Sequence, residues 1–233
     1  MSLTITTHQG HTPELDDADI RVVIDVIRAF TTTHVALRNG ADHIVLAAEL
    51  DDARRLAAHT PSSLLAGERN ALKPPDFDLG NSPAETDAAD LAGRTLVLTT
   101  SNGVQATVHA LHSGPTLVTG FSNAGATLTR LQQLIDDGAR RIQLLASHPD
   151  GDEDLACARW LEARLCGGDE PTDGEVTHRI RTCRAAEKFL DPHRPEYRTD
   201  DIDYCATRDD ADWAMTVEDR DGVPAIRRFD IGG

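Results

Sequence analysis

Short apolar runs alternate with helix-like stretches over most of this chain, and that alternation leaves few folds open. Arg21-Val22-Val23-Ile24-Asp25-Val26 reads as a buried strand, and Thr31–Asn39 as a helix stopped by Gly40. Asp42–Ala47, Ser63–Gly67, Arg94–Thr99, Thr116–Thr119 and Arg141–Ala146 repeat the strand signature. Helical stretches at Asp51–His59, Val104–Leu111, Ala124–Asp136 and Leu155–Leu165 separate or follow them. Such a pattern needs helices on both faces of one sheet. The expected class is therefore α/β, a three-layer α/β/α arrangement around a largely parallel or mixed sheet. Ligands in these sheets sit just past the carboxyl ends of the strands, so the polar residues there carry the functional question.

Between the regular stretches, residues 1–19 are polar and acidic without a clear period, and residues 71–83 read as an ordered, proline-containing loop. Residues 166–175 form a Gly/Asp-rich loop, Val176–Leu190 is expected to be one helix, and Val217–Arg227 a hairpin over Asp221-Gly222. A shift of 73 residues places Arg21-Val22-Val23-Ile24 on Arg94-Thr95-Leu96-Val97, with the following elements in the same order. An internal βαβαβ duplication and the generic likeness of any two such units both account for this. At 233 residues the chain suits one α/β domain, with lobes at 20–90 and 91–158 and a C-terminal region at 159–233.

Charge narrows the partners. The net charge of −16 disfavours nucleic acid and anionic membranes, which would be repelled. Lysine occurs only at Lys73 and Lys188, so arginine supplies almost all the positive charge. Coding bias from a GC-rich genome and adaptation to high salt both explain this balance. No apolar run is long enough to span a bilayer, and Met1-Ser2-Leu3-Thr4 lacks the start of a signal peptide, so a cytoplasmic location is expected. Cys157, Cys166, Cys183 and Cys205 fit no zinc spacing and are expected to be free thiols. A homo-oligomer is compatible with the sequence.

The densest chemical signal is Asp25-Val26-Ile27-Arg28-Ala29-Phe30-Thr31-Thr32-Thr33. A carboxylate at a strand tip can hold a divalent cation, an arginine can grip phosphate oxygens, and Thr31, Thr32 and Thr33 can donate from a helix start. The same residues could instead form a helix cap and an Asp25–Arg28 pair. Gly67-Glu68-Arg69-Asn70 repeats a carboxylate, guanidinium and amide after another strand. Asn81-Ser82, Thr100-Ser101-Asn102-Gly103 and Ser122-Asn123 add hydroxyls and amides, and Asp152-Glu153-Asp154 adds acids after the strand at 141–146. No phosphate-binding GxxxxGK[ST] loop, GxSxG elbow or HExxH motif is present.

At these residues the chain resembles the 2-phosphosulfolactate phosphatases, magnesium-dependent acid phosphatases tied to coenzyme M biosynthesis. The resemblance rests on Val23-Ile24-Asp25-Val26-Ile27-Arg28-Ala29, Gly67-Glu68-Arg69-Asn70, Phe77-Asp78-Leu79-Gly80-Asn81-Ser82-Pro83, Thr99-Thr100-Ser101-Asn102-Gly103, Phe121-Ser122-Asn123-Ala124 and Glu153-Asp154-Leu155-Ala156-Cys157-Ala158. A weaker echo follows in Asp201-Ile202-Asp203-Tyr204-Cys205. It implies hydrolysis of a small anionic phosphoester, with Asp25, Glu68 and Arg28 as catalytic residues and Mg²⁺ held by Asp25, Glu68, Glu153 and Asp154. Thr31, Thr32, Thr33, Arg69, Asn70, Asn81, Ser82, Thr100, Ser101, Asn102, Gly103, Ser122 and Asn123 are the expected substrate contacts. Direct attack by water and an Asp25 phosphoryl intermediate are both open, with water favoured because no D-x-D strand tip is present. A phosphatase for another phosphoester and a non-catalytic anion binder are the rival readings. Phe30 replaces a usually smaller residue and is expected to reshape the pocket.

Overall fold

The computed structural model describes residues 2–209 and 211–232. Its strands are β1 (Thr4–Gln9), β2 (Ile20–Ile24), β3 (His43–Leu46), β4 (Ser63–Gly67), β5 (Thr95–Thr99), β6 (Thr116–Thr119), β7 (Arg141–Ala146), β8 (Trp213–Arg220) and β9 (Val223–Asp230). Its helices are α1 (Ala29–Arg38), α2 (Leu50–His59), α3 (Pro83–Asp87), α4 (Gly103–Ala110), α5 (Ala124–Asp136), α6 (Asp152–Leu165), α7 (Asp173–Thr182), α8 (Arg184–Leu190) and α9 (Asp200–Ala206). All nine strands join one sheet in the order β1-β7-β2-β6-β8-β9-β3-β5-β4.

The sheet is mixed, and its layout settles the question of repetition. β1, β7, β2 and β6 run parallel, as do β3, β5 and β4, and the antiparallel hairpin β8–β9 joins the two blocks. Exchanging β2 with β5, β3 with β6, β4 with β7 and β8 with β9 maps the order onto itself, leaving only β1 outside. Registers follow the same exchange. Arg21 lies opposite Thr116 as Thr95 lies opposite His43, and Ile24 opposite Ala146 as Leu98 opposite Ala66. The chain is thus built from two like βαβαβ units, and each inserts its first strand between two strands of the other. The two runs interleave in one sheet rather than forming side-by-side bodies.

Burial explains why the runs are continuous in hydrophobicity. Every residue of β2 is buried, so both faces of this strand must be covered. Val23, Leu96, Leu98 and Val118 face α1 and α4 in one core. Ile20, Val22, Ile24, Leu117 and Leu144 point to the opposite face, under α5 and α6. A third cluster of Val45, Val97 and Phe77 lies under α2. Successive strand residues thus alternate between helical layers, as the pleat requires.

Three elements depart from the sequence reading. The N-terminal segment forms the edge strand β1, whose residues are at most half-buried and so leave little apolar period. The helix expected over Val176–Leu190 is broken at Cys183, whose ψ of 159° is extended, giving α7 and α8. Phe30 is fully buried in the core beneath the sheet rather than shaping a pocket.

Candidate active site

The two parallel blocks run in opposite directions, yet their carboxyl ends meet. Five steps separate β2 from β5. A twist of about 20–25° per step turns one relative to the other by roughly 100–125°. The tip of β2 therefore reaches the start of α4. The approach is close enough that a methyl group on Gly103 would lie 2.6 Å from Asp25 Oδ2. A side chain there would have to displace Asp25.

Each unit also fastens the other's turn. Asp154, at the start of α6 after β7, accepts from the Val26 amide at 2.7 Å, just past β2. Glu68, just past β4, accepts from the Ser101 amide at 2.6 Å and from its hydroxyl at 3.0 Å, just past β5. Glu68 also accepts from the Ala71 amide at 2.6 Å. Gly67 makes this crossing feasible: its φ is +138°, and a Cβ there would stand 2.0 Å from the Thr99 carbonyl.

A cleft of about 500 Å³ opens at this junction. Asp25, Glu68, Asn70, Asn81, Ser101 and Asn102 line it, together with Arg28, His148, Asp150, Arg184, Lys188 and Phe189. Asp25 is oriented by the Ala29 amide at 2.9 Å and the Ser147 hydroxyl at 3.1 Å. Ser147 Oγ also lies 3.3 Å from Asp154 Oδ2, and the His148 amide donates to that same oxygen at 3.1 Å.

The electrostatics of this wall are unusual. Burial pushes the Asp25 carboxyl above the usual carboxylate range, against hydrogen bonds that pull it down, and the charge of Glu68 adds to the rise. Asp154 is pushed well above that range by burial and then by Asp25 and Glu153. Glu153 is raised by burial first, and its Oε2 is buried without a partner. Carboxylates packed this closely must hold protons or be neutralised by a cation. Arg28, which also lines the cleft, pairs with buried Asp201 at 2.7 Å, donates to the Ala71 carbonyl at 3.2 Å and lies 4.6 Å from the Phe189 ring centroid. Its ion-pair partner is Asp201, not Asp25.

Sequence comparison bears on this geometry. A family model described as 2-phosphosulpholactate phosphatase matches residues 5–220. The chain belongs to that family. It is 38% identical to a "Probable 2-phosphosulfolactate phosphatase" of Bacillus subtilis over 229 residues, covering 98% of this chain and 100% of the relative. Relatives of the same name from Thermotoga petrophila and Synechocystis are 40% and 32% identical, covering 81% and 85% of this chain and 84% and 90% of their own lengths. The matched range takes in both βαβαβ units and the C-terminal helices.

The remaining expected site residues lie around the cleft rather than in it. Thr31 donates to the Val26 carbonyl and Thr33 to the Ala29 carbonyl, both at 2.9 Å, and the Thr32 hydroxyl is buried without a partner. α1 begins at Ala29, so these threonines sit inside its first turns and face the core. Thr100 caps the Val104 amide at 3.0 Å, and Ser82 caps α3 while donating to Asp201 at 2.6 Å. Arg69 donates to the Ala48 carbonyl at 2.6 Å and to Thr99 at 3.0 Å. Asn123 accepts from the Gly120 amide at 3.0 Å, and Ser122 lies 3.1 Å from His34, away from the cleft. Residues that the strand-end reading passed over are Ser147, His148 and Asp150 after β7, Asp201 on α9, and Arg184 and Lys188 on α8.

Proposed function

We propose that this chain is a Mg²⁺-dependent phosphomonoesterase that converts 2-phosphosulfolactate to sulfolactate and phosphate. The observation that carries this reading is a single cleft lined both by the carboxylates Asp25 and Glu68 and by the cations Arg28, Arg184 and Lys188. A protein that only bound anions would gain nothing from carboxylates facing its ligand.

The donor set fits a hard divalent cation: oxygen ligands only, a buried unpartnered Glu153 oxygen, and carboxyls whose burial calls for positive charge. Among the described residues no three acidic, His or Cys side chains form a ready-made cage. Mg²⁺ does not need such a cage, because it keeps several waters and is held by one or two carboxylates plus substrate phosphate. Asp25 and Glu68 would hold the ion, with Glu153 and Asp154 behind them acting through water. When bound it would neutralise phosphate charge and acidify a coordinated water.

The chain's own groups then do the positioning. Ser101, Asn102, Asn70 and the buried Asn81, whose Oδ1 has no partner, face the phosphate region of the cleft. Arg28, fixed by Asp201, presents a rigid guanidinium to the ester. In the reaction a water oxygen bonds to phosphorus, the phosphorus–oxygen bond to the substrate carbon breaks, and the leaving oxygen takes up the proton that the water gives up. Both Asp25 oxygens are engaged, by Ala29 and by Ser147, which favours a holding role over attack by Asp25 itself. The test is phosphate release from 2-phosphosulfolactate before and after exhaustive chelation, with Mg²⁺ added back. Activity should vanish and return. Full activity without metal would remove the cation from the reading, and release from no phosphomonoester would overturn it entirely.

A further inference from the structure

The cleft has a wall that neither strand tip supplies. It comes from α8, a helix of seven residues split from α7 at Cys183. Cys183, Ala186 and Phe189 pack with Tyr197 and Ile202, which anchors one face of α8. Arg184 and Lys188, four residues apart, share another face one turn from each other and line the cleft.

These two cations differ from others in the molecule. Arg28 is neutralised by Asp201 at 2.7 Å, and Lys73, the chain's other lysine, by Glu85 at 2.7 Å. Among the described residues neither Arg184 nor Lys188 has a hydrogen bond or a carboxylate partner. The Lys188 ammonium instead lies 5.3 Å and 5.6 Å from the ring centroids of Phe189 and Tyr197. Two unpaired cations side by side are unexpected in a chain of net charge −16, where acidic partners are plentiful. Burial lowers the Lys188 pKa, and the charge of Arg28 lowers it further. Glu68 and Glu153 act on it in the opposite direction without pairing with it, so this half-buried ammonium still has room for a counter-anion from a ligand.

We propose that Arg184 and Lys188 form a second anion subsite, which holds the carboxylate or sulfonate of the substrate while its phosphate lies against the Asp25–Ser101 wall. α8 is thereby the specificity element, selecting phosphoesters that carry another anionic group. The subsite rests on the phosphatase reading above for its substrate, but its binding can be measured without turnover.

The readout is the ratio of kcat/KM for 2-phosphosulfolactate over p-nitrophenyl phosphate, whose alcohol carries no carboxylate or sulfonate. Arg184→Gln and Lys188→Gln should each lower that ratio about tenfold or more, the size of one lost charge-assisted contact, mainly through KM. Lys188→Arg should restore most of it. Arg184 is exposed, so Arg184→Gln keeps the test informative should Lys188→Gln fold poorly. Phospholactate, which lacks the sulfonate, separates the two sources: a retained preference assigns the subsite to the carboxylate, and a lost one to the sulfonate. An unchanged ratio, or equal losses on both esters, would overturn the proposal. Calorimetric binding of sulfolactate completes the test. If the wild type hydrolyses no ester yet binds sulfolactate at least tenfold more tightly than the variants, the subsite stands and the phosphatase reading falls. Equal affinity, or no binding to the wild type, overturns the subsite.

Discussion

The two βαβαβ units have one scaffold and two chemistries. Residues 20–67 end their first strand at Ile24 and follow it with Asp25 and Arg28, while residues 95–146 end theirs at Thr99 and follow it with Ser101, Asn102 and Gly103. Both turns are fastened in the same way, by a carboxylate that lies past the last strand of the other unit: Asp154 on Val26, Glu68 on Ser101. The resemblance lies in the backbone hydrogen bonds, and the difference in what each tip presents to the cleft. A symmetric site would offer two acids or two donor loops. On the proposed reading a phosphoester and a cation would use one of each, and the divergence of the two tips would supply that pair.

The strongest way to break this comparison is to remove the chemistry from one tip and leave the other. Asp25→Asn keeps shape and loses the carboxylate charge. It should lower kcat by about 10²–10³-fold, the usual cost of deleting one group that stabilises the reacting charge. At the matching strand end, Thr99→Val removes a buried hydroxyl that accepts from Arg69 at 3.0 Å. That change should cost about 1 kcal/mol of stability and far less activity than Asp25→Asn. Steady-state kinetics and denaturant unfolding of the two variants decide the matter. Equal losses of kcat would mean that the tips are not chemically distinct.

A second test concerns the glycines that let the units cross. Gly67→Ala would put a methyl 2.0 Å from the Thr99 carbonyl at a φ of +138°, where the obstacle is backbone and cannot give way. Overpacking and strain together should cost about 3 kcal/mol or more. Gly103→Ala meets Asp25 Oδ2 at 2.6 Å, which can rotate aside, and the Ala29 methyl at 2.9 Å, which must shift slightly with its helix, whereas Gly67→Ala meets a carbonyl at 2.0 Å. Gly103→Ala should therefore spare the fold more than Gly67→Ala while displacing Asp25, with activity falling up to about 10²-fold. Melting curves and kcat should separate the pair in that sense. Gly103→Ala with full activity would show that the contact with Asp25 does not position it.

Much of this architecture was legible in the residues. Continuous apolar strands announced a sheet covered on both faces, whereas the 73-residue shift left duplication and generic likeness open; the strand order shows the repeat, and the register places Arg21 with Thr95 rather than Arg94. Asp25, Arg28, Glu68, Asn70, Asn81, Ser101 and Asn102 follow their elements into the cleft because strand tips are where such sheets open. Thr31 to Thr33 misled because hydroxyls near a helix start look like anion donors. The helix begins two residues earlier and turns them inward. Asp201 and Lys188 could not be placed by the same rule, since they lie on helices rather than after strands. A signal did exist for Lys188: it is one of only two lysines in the chain and stands four residues from Arg184.

The smallest effect sharpens a difference between the units' first helices. α1 is buried from Ala29 to Leu37, with α3 packed beside it, whereas α4 leaves Val108 36% exposed. His34 on α1 is 1% exposed, lies 3.1 Å from the Ser122 hydroxyl and packs on Trp213 with centroids 5.0 Å apart. Burial lowers its pKa to about 4, from an ordinary value near 6.5. Below pH 6.5 the unfolded chain therefore takes up a proton that the folded chain refuses, and stability must fall with pH until about 4. The slope is at most about 1.4 kcal/mol per pH unit, or about 3 kcal/mol across the window. Asp25, Glu153 and Asp154, whose pKa values are raised, act in the opposite direction, since protonation then favours the folded state. His34→Gln keeps those acids and removes the titrating ring, so the wild-type-minus-variant difference isolates the histidine. Urea unfolding at pH 7, 6 and 5 should show that difference shifting steadily against the wild type. A difference independent of pH would mean that α1 admits water and that the two first helices are alike after all.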